Sequence, residues 1–201
     1  MRKLNKVFYQ KNDVLVVAKE LLGKILVTRF NGIFTSGRIV EVEAYNGIID
    51  KAAHSFGGRR TNRNEIMYAD GGVAYVYLCY GIHHLFNVVT NNKETPNAIL
   101  IRALEPINGI DEMLKRVGKT KFDNTLTRGP GNLSKAMGLF TYYSGCSLVS
   151  KELFIADDGF VYNKNEIAAS PRIGVEYAGK DALLPYRFYV KGNAFVSGKP
   201  R

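Results

Sequence analysis

Lys24-Ile25-Leu26-Val27-Thr28-Arg29-Phe30-Asn31-Gly32-Ile33-Phe34-Thr35-Ser36-Gly37-Arg38-Ile39-Val40-Glu41-Val42-Glu43-Ala44-Tyr45 reads as two antiparallel strands joined by a two-residue turn. Asn-Gly is the favoured pair for such a turn, because both central residues need a positive φ. The returning strand, Ile33 to Tyr45, ends in strict alternation. Ile39, Glu41, Glu43 and Tyr45 are expected on one face, and Val40, Val42 and Ala44 on the other. The small apolar face suits a core. Two carboxylates and a phenol are a poor composition for a face that merely packs, so candidate chemistry starts here.

Upstream of this hairpin, Asn12 or Asp13 can cap a helix from Val14 to Leu22, with Gly23 as its stop. Downstream, Asn46 to Asp70 is a long segment with little hydrophobic periodicity, of the kind that is usually functional or mobile. A tyrosine-rich strand, Val73 to Tyr80, is broken by Gly81 and partnered by Leu85 to Thr90. Ala98 to Leu104 is a further strand, which Pro106 is expected to end. Asp111 caps a helix from Glu112 to Val117. Arg128-Gly129-Pro130-Gly131-Asn132 turns into a short helix, Leu133 to Met137, stopped by Gly138. Leu148 to Ala156 and Arg187 to Val190 complete the strands. Short strands joined by tight turns, with a few helices and no composition shift, predict an α+β fold as one domain over residues 1–201 with a largely antiparallel sheet.

Of the 201 residues 46% are hydrophobic, enough to fill a core. The formal charge of +10 favours a polyanionic partner. No stretch approaches the ~20 apolar residues of a membrane span, so no membrane partner is expected. Met1 to Lys6 is basic without an apolar run behind it, which is not the pattern of a secretory signal. Cys79 and Cys146 stand far apart with no Cys-x-x-Cys, which points to reduced thiols in a cytoplasmic protein. Nucleic acid is the leading partner class.

Glu43 is the candidate general base; the plain alternative is a solvated strand face. Arg102 lies in Ile99-Leu100-Ile101-Arg102-Ala103-Leu104, a run otherwise apolar, where a buried charge needs a partner. If that partner is Glu43, the pair suits a base that must stay ionised. His54 stands between small residues and a glycine-rich loop. No His-x-His or His-Glu-x-x-His spacing occurs, and no metal is expected. Tyr75 and Tyr77 share a strand face, while Tyr80 falls at the hairpin tip, where an aromatic wedge could enter a duplex. Arg59, Arg60 and Arg63 could neutralise phosphates beside it, or simply form a solvated loop. Gly129-Pro130-Gly131 lacks the Lys-Ser/Thr ending of a P-loop, so neither ATP use nor any cofactor is read.

These motifs occur in a specific order: Arg38 to Tyr45, Ala52-Ala53-His54-Ser55, Arg63-Asn64, Tyr75 to Gly81, Asn87, Leu100 to Pro106, Gly129-Pro130-Gly131, Pro171-Arg172-Ile173-Gly174-Val175 and Pro185 to Val190. Together they resemble the alkyladenine (3-methyladenine) DNA glycosylase family, mammalian type, over about Ala18 to Ser197. The resemblance implies a mixed domain with a curved antiparallel sheet and a protruding β-hairpin that enters the minor groove of double-stranded DNA. It implies removal of alkylated or deaminated purines; no lysine falls within these motifs, so a monofunctional hydrolase is expected, acting as a monomer. Glu43 would activate the attacking water, held also by Arg102 and the carbonyl of Ile173. Tyr45 and His54 would contact the flipped base, with Tyr77 stacking on its other face. Asn87 would crowd the amino group of normal guanine, and Tyr80 would intercalate. The pattern departs at Asn132, where a lysine is expected. Two other readings of the same residues are a non-catalytic nucleic-acid-binding module and a carboxylate–metal nuclease built on Glu41 and Glu43.

Overall fold

The computed structural model describes residues 1–198. Along the chain come β1 (Arg2–Lys3), α1 (Lys6–Tyr9), α2 (Val14–Leu21), β2 (Ile25–Phe30), β3 (Ile33–Tyr45), β4 (Ala74–Cys79), β5 (His83–Thr90), β6 (Asn97–Asn108), α3 (Ile110–Val117), α4 (Pro130–Met137), β7 (Leu153–Asp157), β8 (Ile167–Ser170) and β9 (Arg187–Val190). Among the described residues nine strands form one sheet in the order β1-β7-β2-β3-β6-β5-β4, with β9 also on β3 and β8 on β9. Every pairing is antiparallel, so the α+β expectation holds.

The spine is β3. It has 13 residues against six in β2, so β2 covers only its first half. The same edge then accepts β9 at Glu41–Glu43, while β6 runs along the opposite edge. The Asn31-Gly32 turn has φ of 52° and 77°, as its sequence requires. Asp13 caps α2 through its side chain, accepting from the Leu15 and Val16 amides. Helices α2 and α4 pack on the sheet, α2 on β3 and β6, α4 on β5 and β6. Val17, Leu21, Ile39, Val42, Ala44, Val88, Ile99, Ile101, Met113, Leu133 and Met137 share one core.

The strict alternation expected of β3 is broken by a bulge. Ile39 pairs with Leu104, Glu41 with Ala103 and Val42 with Ile101, so Val40 and Arg102 are passed over. Ile39 therefore joins Val42 and Ala44 in the main core. Val40 goes instead with Ala103, Tyr189, Val190 and Val196. An extra residue on one strand reverses the facing of those before it, which alternation alone cannot reveal. From Glu41 to Tyr45 the expected facing stands.

Other boundaries also move. Strand β6 continues through Pro106 to Asn108, because Pro106 lies opposite Gly37 at a second register shift, where a missing N–H is tolerated. Gly37 has no room for a side chain, since a Cβ there would lie 2.9 Å from that of Leu104. Helix α4 begins at Pro130, not Leu133, with Gly129 at its N-cap. The strand read from Leu148 forms only from Leu153, and β1, α1 and β8 carried no readable signal. Residues 46–70 are packed against the body through three short 3₁₀ turns and buried Ala52, Ala53, Ser55, Asn64 and Met67. Among the described residues no helix is long and apolar enough to cross a membrane.

Candidate active site

One cross-strand row builds the floor of the site. Tyr75 pairs with Asn87, Asn87 with Leu100, Leu100 with Glu43, and Glu43 with Arg187. Directly opposed residues share a face, so five strands place these side chains side by side. Above this row is a cavity of about 610 Å³, lined by Tyr45, His54, Tyr75, Tyr77, Asn87, Leu100, Arg102, Ile173 and Tyr177, with Leu78, Tyr80 and Gly81 at its hairpin side. That is within the usual range for a small-molecule pocket.

Glu43 is fully buried, 0% exposed, immediately behind the cavity wall. Its Oε2 accepts from the Tyr45 hydroxyl at 3.0 Å and from Arg102 Nη1 at 3.2 Å. Its Oε1 accepts from the Ile173 amide at 2.8 Å. Ile173, to which the resemblance gives a role through its carbonyl, also contacts Glu43 through its amide. All three neighbours donate, the pattern a carboxylate satisfies and a carboxylic acid does not. Burial, and then the charge of Glu43, push the Tyr45 hydroxyl well above its ordinary range, so it remains a donor.

Arg102 does find Glu43, and it finds Glu41 as well, through Nε at 3.1 Å. Glu41 is also fully buried. It accepts in addition from Arg187 Nε at 2.7 Å, the Ser197 amide at 2.6 Å and the Ser197 hydroxyl at 3.0 Å. Its two oxygens are thus taken by protein donors, which leaves the Glu41–Glu43 pair without the open ligand positions a metal nuclease needs. Among the described residues no three His, Cys, Asp or Glu side chains are grouped to hold a metal ion.

The wall of the cavity is aromatic. His54 Nδ1 lies 2.8 Å from the Tyr75 hydroxyl, and its ring meets Tyr77 edge-on, centroids 4.6 Å apart at 72°. Burial, and then Arg63 and Arg59 nearby, lower the His54 pKa to about 4, which makes it neutral at physiological pH. Burial pushes the Tyr75 hydroxyl up to about 12. Asn87 is buried and aligned by its Nδ2, which donates to the carbonyls of Tyr75 and Leu85, both at 3.2 Å.

Tyr80 projects from the β4–β5 hairpin with 87% of its surface exposed and a φ of 51°. A bulky residue with positive φ is a genuine outlier, and such strain gathers at functional positions. Leu78 and Ile82 are exposed on either side of it. Helix α4 supports this hairpin closely: a Cβ at Gly131 would lie 2.9 Å from His83 Nδ1. Arg63 braces the hairpin too, donating to the Leu78 carbonyl at 3.2 Å and lying over the Tyr77 ring. Arg59 is exposed. Arg60 is the exception among the three arginines, being paired with Glu65 at 2.7 Å and Glu94 at 2.6 Å.

Two arginines went unassigned in the sequence. Arg172 makes a buried two-pronged pair with Asp50, donates to the Ala44 carbonyl at 2.9 Å and lies over the Tyr45 ring. It ties the 46–70 segment to the end of β3. Arg187 holds Glu41. Arg187 carries the signal that singled out Arg102, a charge within an apolar strand, and Arg172 lies inside a quoted motif.

A family model described as Methylpurine-DNA glycosylase (MPG) matches residues 7–194. A Bacillus cereus (strain G9842) protein is 50% identical over 200 residues, covering 96% of this chain and 97% of its own. A Bacillus anthracis (strain A0248) protein is 49% identical with the same coverage. A Clostridium perfringens protein is 41% identical over 205 residues, covering 98% of this chain and 100% of its own. All three are provisionally named 3-methyladenine DNA glycosylase. The site geometry, the family match and this near full-length identity agree, and the chain belongs to the methylpurine-DNA glycosylase family.

Proposed function

We propose that the protein excises alkylated or deaminated purines from double-stranded DNA as a cytoplasmic monomer without a cofactor, by swinging the damaged nucleotide into the cavity and hydrolysing its N-glycosidic bond. The observation that carries this reading is Glu43: a buried carboxylate, aligned by three donors, directly behind an aromatic cavity. Tyr80 fills the gap left in the duplex, and Leu78 and Ile82 broaden the apolar wedge. Tyr45, His54 and Tyr77 then contact the purine. A purine alkylated at N3 or N7 is cationic, and aromatic faces attract it. Because His54 is neutral, it adds no repelling charge. Asn87, aligned by two carbonyls, crowds the amino group that only a normal guanine carries.

A water entering between Arg102 and Ile173 reaches the Glu43 carboxylate and is held also by the Ile173 carbonyl. Its oxygen bonds to C1′ of the sugar as the C1′–N bond breaks. The bonding pair leaves with the purine, and Glu43 takes the water's proton. The products are free base and an abasic site. The carboxylate also stabilises positive charge developing on the sugar. Among the described residues no lysine lines the cavity, so none of them offers an amine to attack C1′, and base release is expected without strand cleavage.

Duplexes carrying hypoxanthine, ethenoadenine or 7-methylguanine, treated with alkali after incubation, test the activity. Glu43→Gln should lower base release by about 10²–10⁴-fold with DNA affinity retained. Wild-type rates in that variant would remove Glu43 from the reaction. No product from any of these lesions, nor from 3-methyladenine in methylated DNA, would leave the non-catalytic binding module as the better reading.

A further inference from the structure

We infer that Glu41 and Ser197 are positioning residues for excision, acting through Arg102 on Glu43. The inference rests on the reading of Glu43 given above. Ser197 lies beyond residues 7–194, where the family match ends, so nothing in that match gives it a role.

The guanidinium of Arg102 is pinned on three sides. Nε donates to Glu41 at 3.1 Å, Nη2 to the Ser197 hydroxyl at 3.2 Å, and Nη1 to Glu43 at 3.2 Å. A planar fork with two of its sides fixed has little freedom left on the third. The bulge makes this possible: because Arg102 is passed over in the ladder, it reaches both carboxylates on the same face of β3. Ser197 has a double part. Its hydroxyl accepts from Arg102 and donates to Glu41, while its amide donates to the other Glu41 oxygen. Arg187 closes the ring by donating to Glu41 and to the Ser197 carbonyl.

Charge explains why Glu41 belongs there. Glu43 with Arg102 and Arg187 alone would leave a buried positive excess, which is costly. With Glu41 the cluster holds two carboxylates and two guanidiniums. Arg102 is then shared between them and is not drawn wholly onto Glu43. The same corner meets the far side of the site, because a Cβ at Gly198 would lie 2.7 Å from Ile173 Cδ1, and the Ile173 amide is the remaining donor to Glu43.

The test compares Ser197→Ala and Glu41→Gln with wild type in single-turnover excision of hypoxanthine at saturating protein. DNA affinity and thermal melting are measured alongside, and rates are scaled to the folded fraction. Ser197→Ala should lower the saturated rate about tenfold, since a small misplacement of a catalytic group has effects of this order or larger, and Glu41→Gln should lower it more. Affinity should stay within about twofold for both, which a general loss of structure would not produce. A folded Ser197→Ala protein with wild-type saturated rate overturns the inference, as does a rate loss that vanishes after scaling to the folded fraction. Should Glu41→Gln fail to fold, Ser197→Ala decides alone. Glu43→Gln, run beside them, separates the two failures: if it excises normally the reading of Glu43 falls, whereas if only Ser197→Ala is silent the positioning claim falls by itself.

Discussion

His54 shows how far a site can move a single residue from its ordinary chemistry. Its pKa falls from 6.5 to about 4, first through burial and then through Arg63 and Arg59. A depressed histidine pKa means the fold favours the neutral ring. That contribution to stability is full above about pH 6.5 and is lost as pH falls toward 4. Nitrogen-detected NMR of the free protein should therefore show His54 unprotonated at pH 6 and titrating near 4; a midpoint near 6.5 would contradict the burial argument. Tyr80, exposed and strained, makes a second residue-level prediction. Tyr80→Ala should weaken binding to lesion duplex by about 1–3 kcal/mol, the order of an aromatic–base contact, with little change in melting temperature. Calorimetric titration together with a thermal scan measures both. Residues such as Arg102 were legible in the sequence because a charge in an apolar run demands a partner. That the partner is two glutamates was not legible, because alternation places both on one face without giving their distance from β6.

At the scale of elements, Arg172 ties the 46–70 segment to the end of β3, through a buried pair with Asp50 and a bond to the Ala44 carbonyl. Asp50 also accepts from the Asn46 and Ala52 amides, so it organises its own loop. Asp50→Ala would leave a buried guanidinium uncompensated and should reduce stability by about 3–5 kcal/mol, measured by urea unfolding. Because Arg172 lies over Tyr45, the same change should also slow excision in the protein that remains folded. The longer strands and the Asn-Gly turn were readable from local pattern, unlike β1 and β8, since β-branched residues and positive-φ turns are local properties. The register shifts of β3 against β6 were not, because a bulge is chosen by which pairing buries most apolar surface, and that involves the partner strand. The passage of β6 through Pro106 follows from the same shifts.

For the whole molecule, the charge of +10 predicts binding that weakens steeply with salt, the slope of log K against log salt growing by about 0.9 per phosphate contacted. Arg59→Ala should reduce that slope by about one contact. Arg60→Ala should change it less, because Arg60 is already engaged by Glu65 and Glu94; fluorescence anisotropy across a salt series distinguishes the two. The sequence by itself determined the strand and turn types, the antiparallel α+β class and the residues able to do chemistry, because propensity, alternation and motif order are properties of neighbours along the chain. Tertiary structure alone decided that Glu43 sits behind an aromatic cavity, that Glu41 is consumed by Arg102, Arg187 and Ser197, and that Arg60 is drawn away to local carboxylates. Those outcomes depend on register and on contacts between distant segments, where burial makes each charge choose its partner.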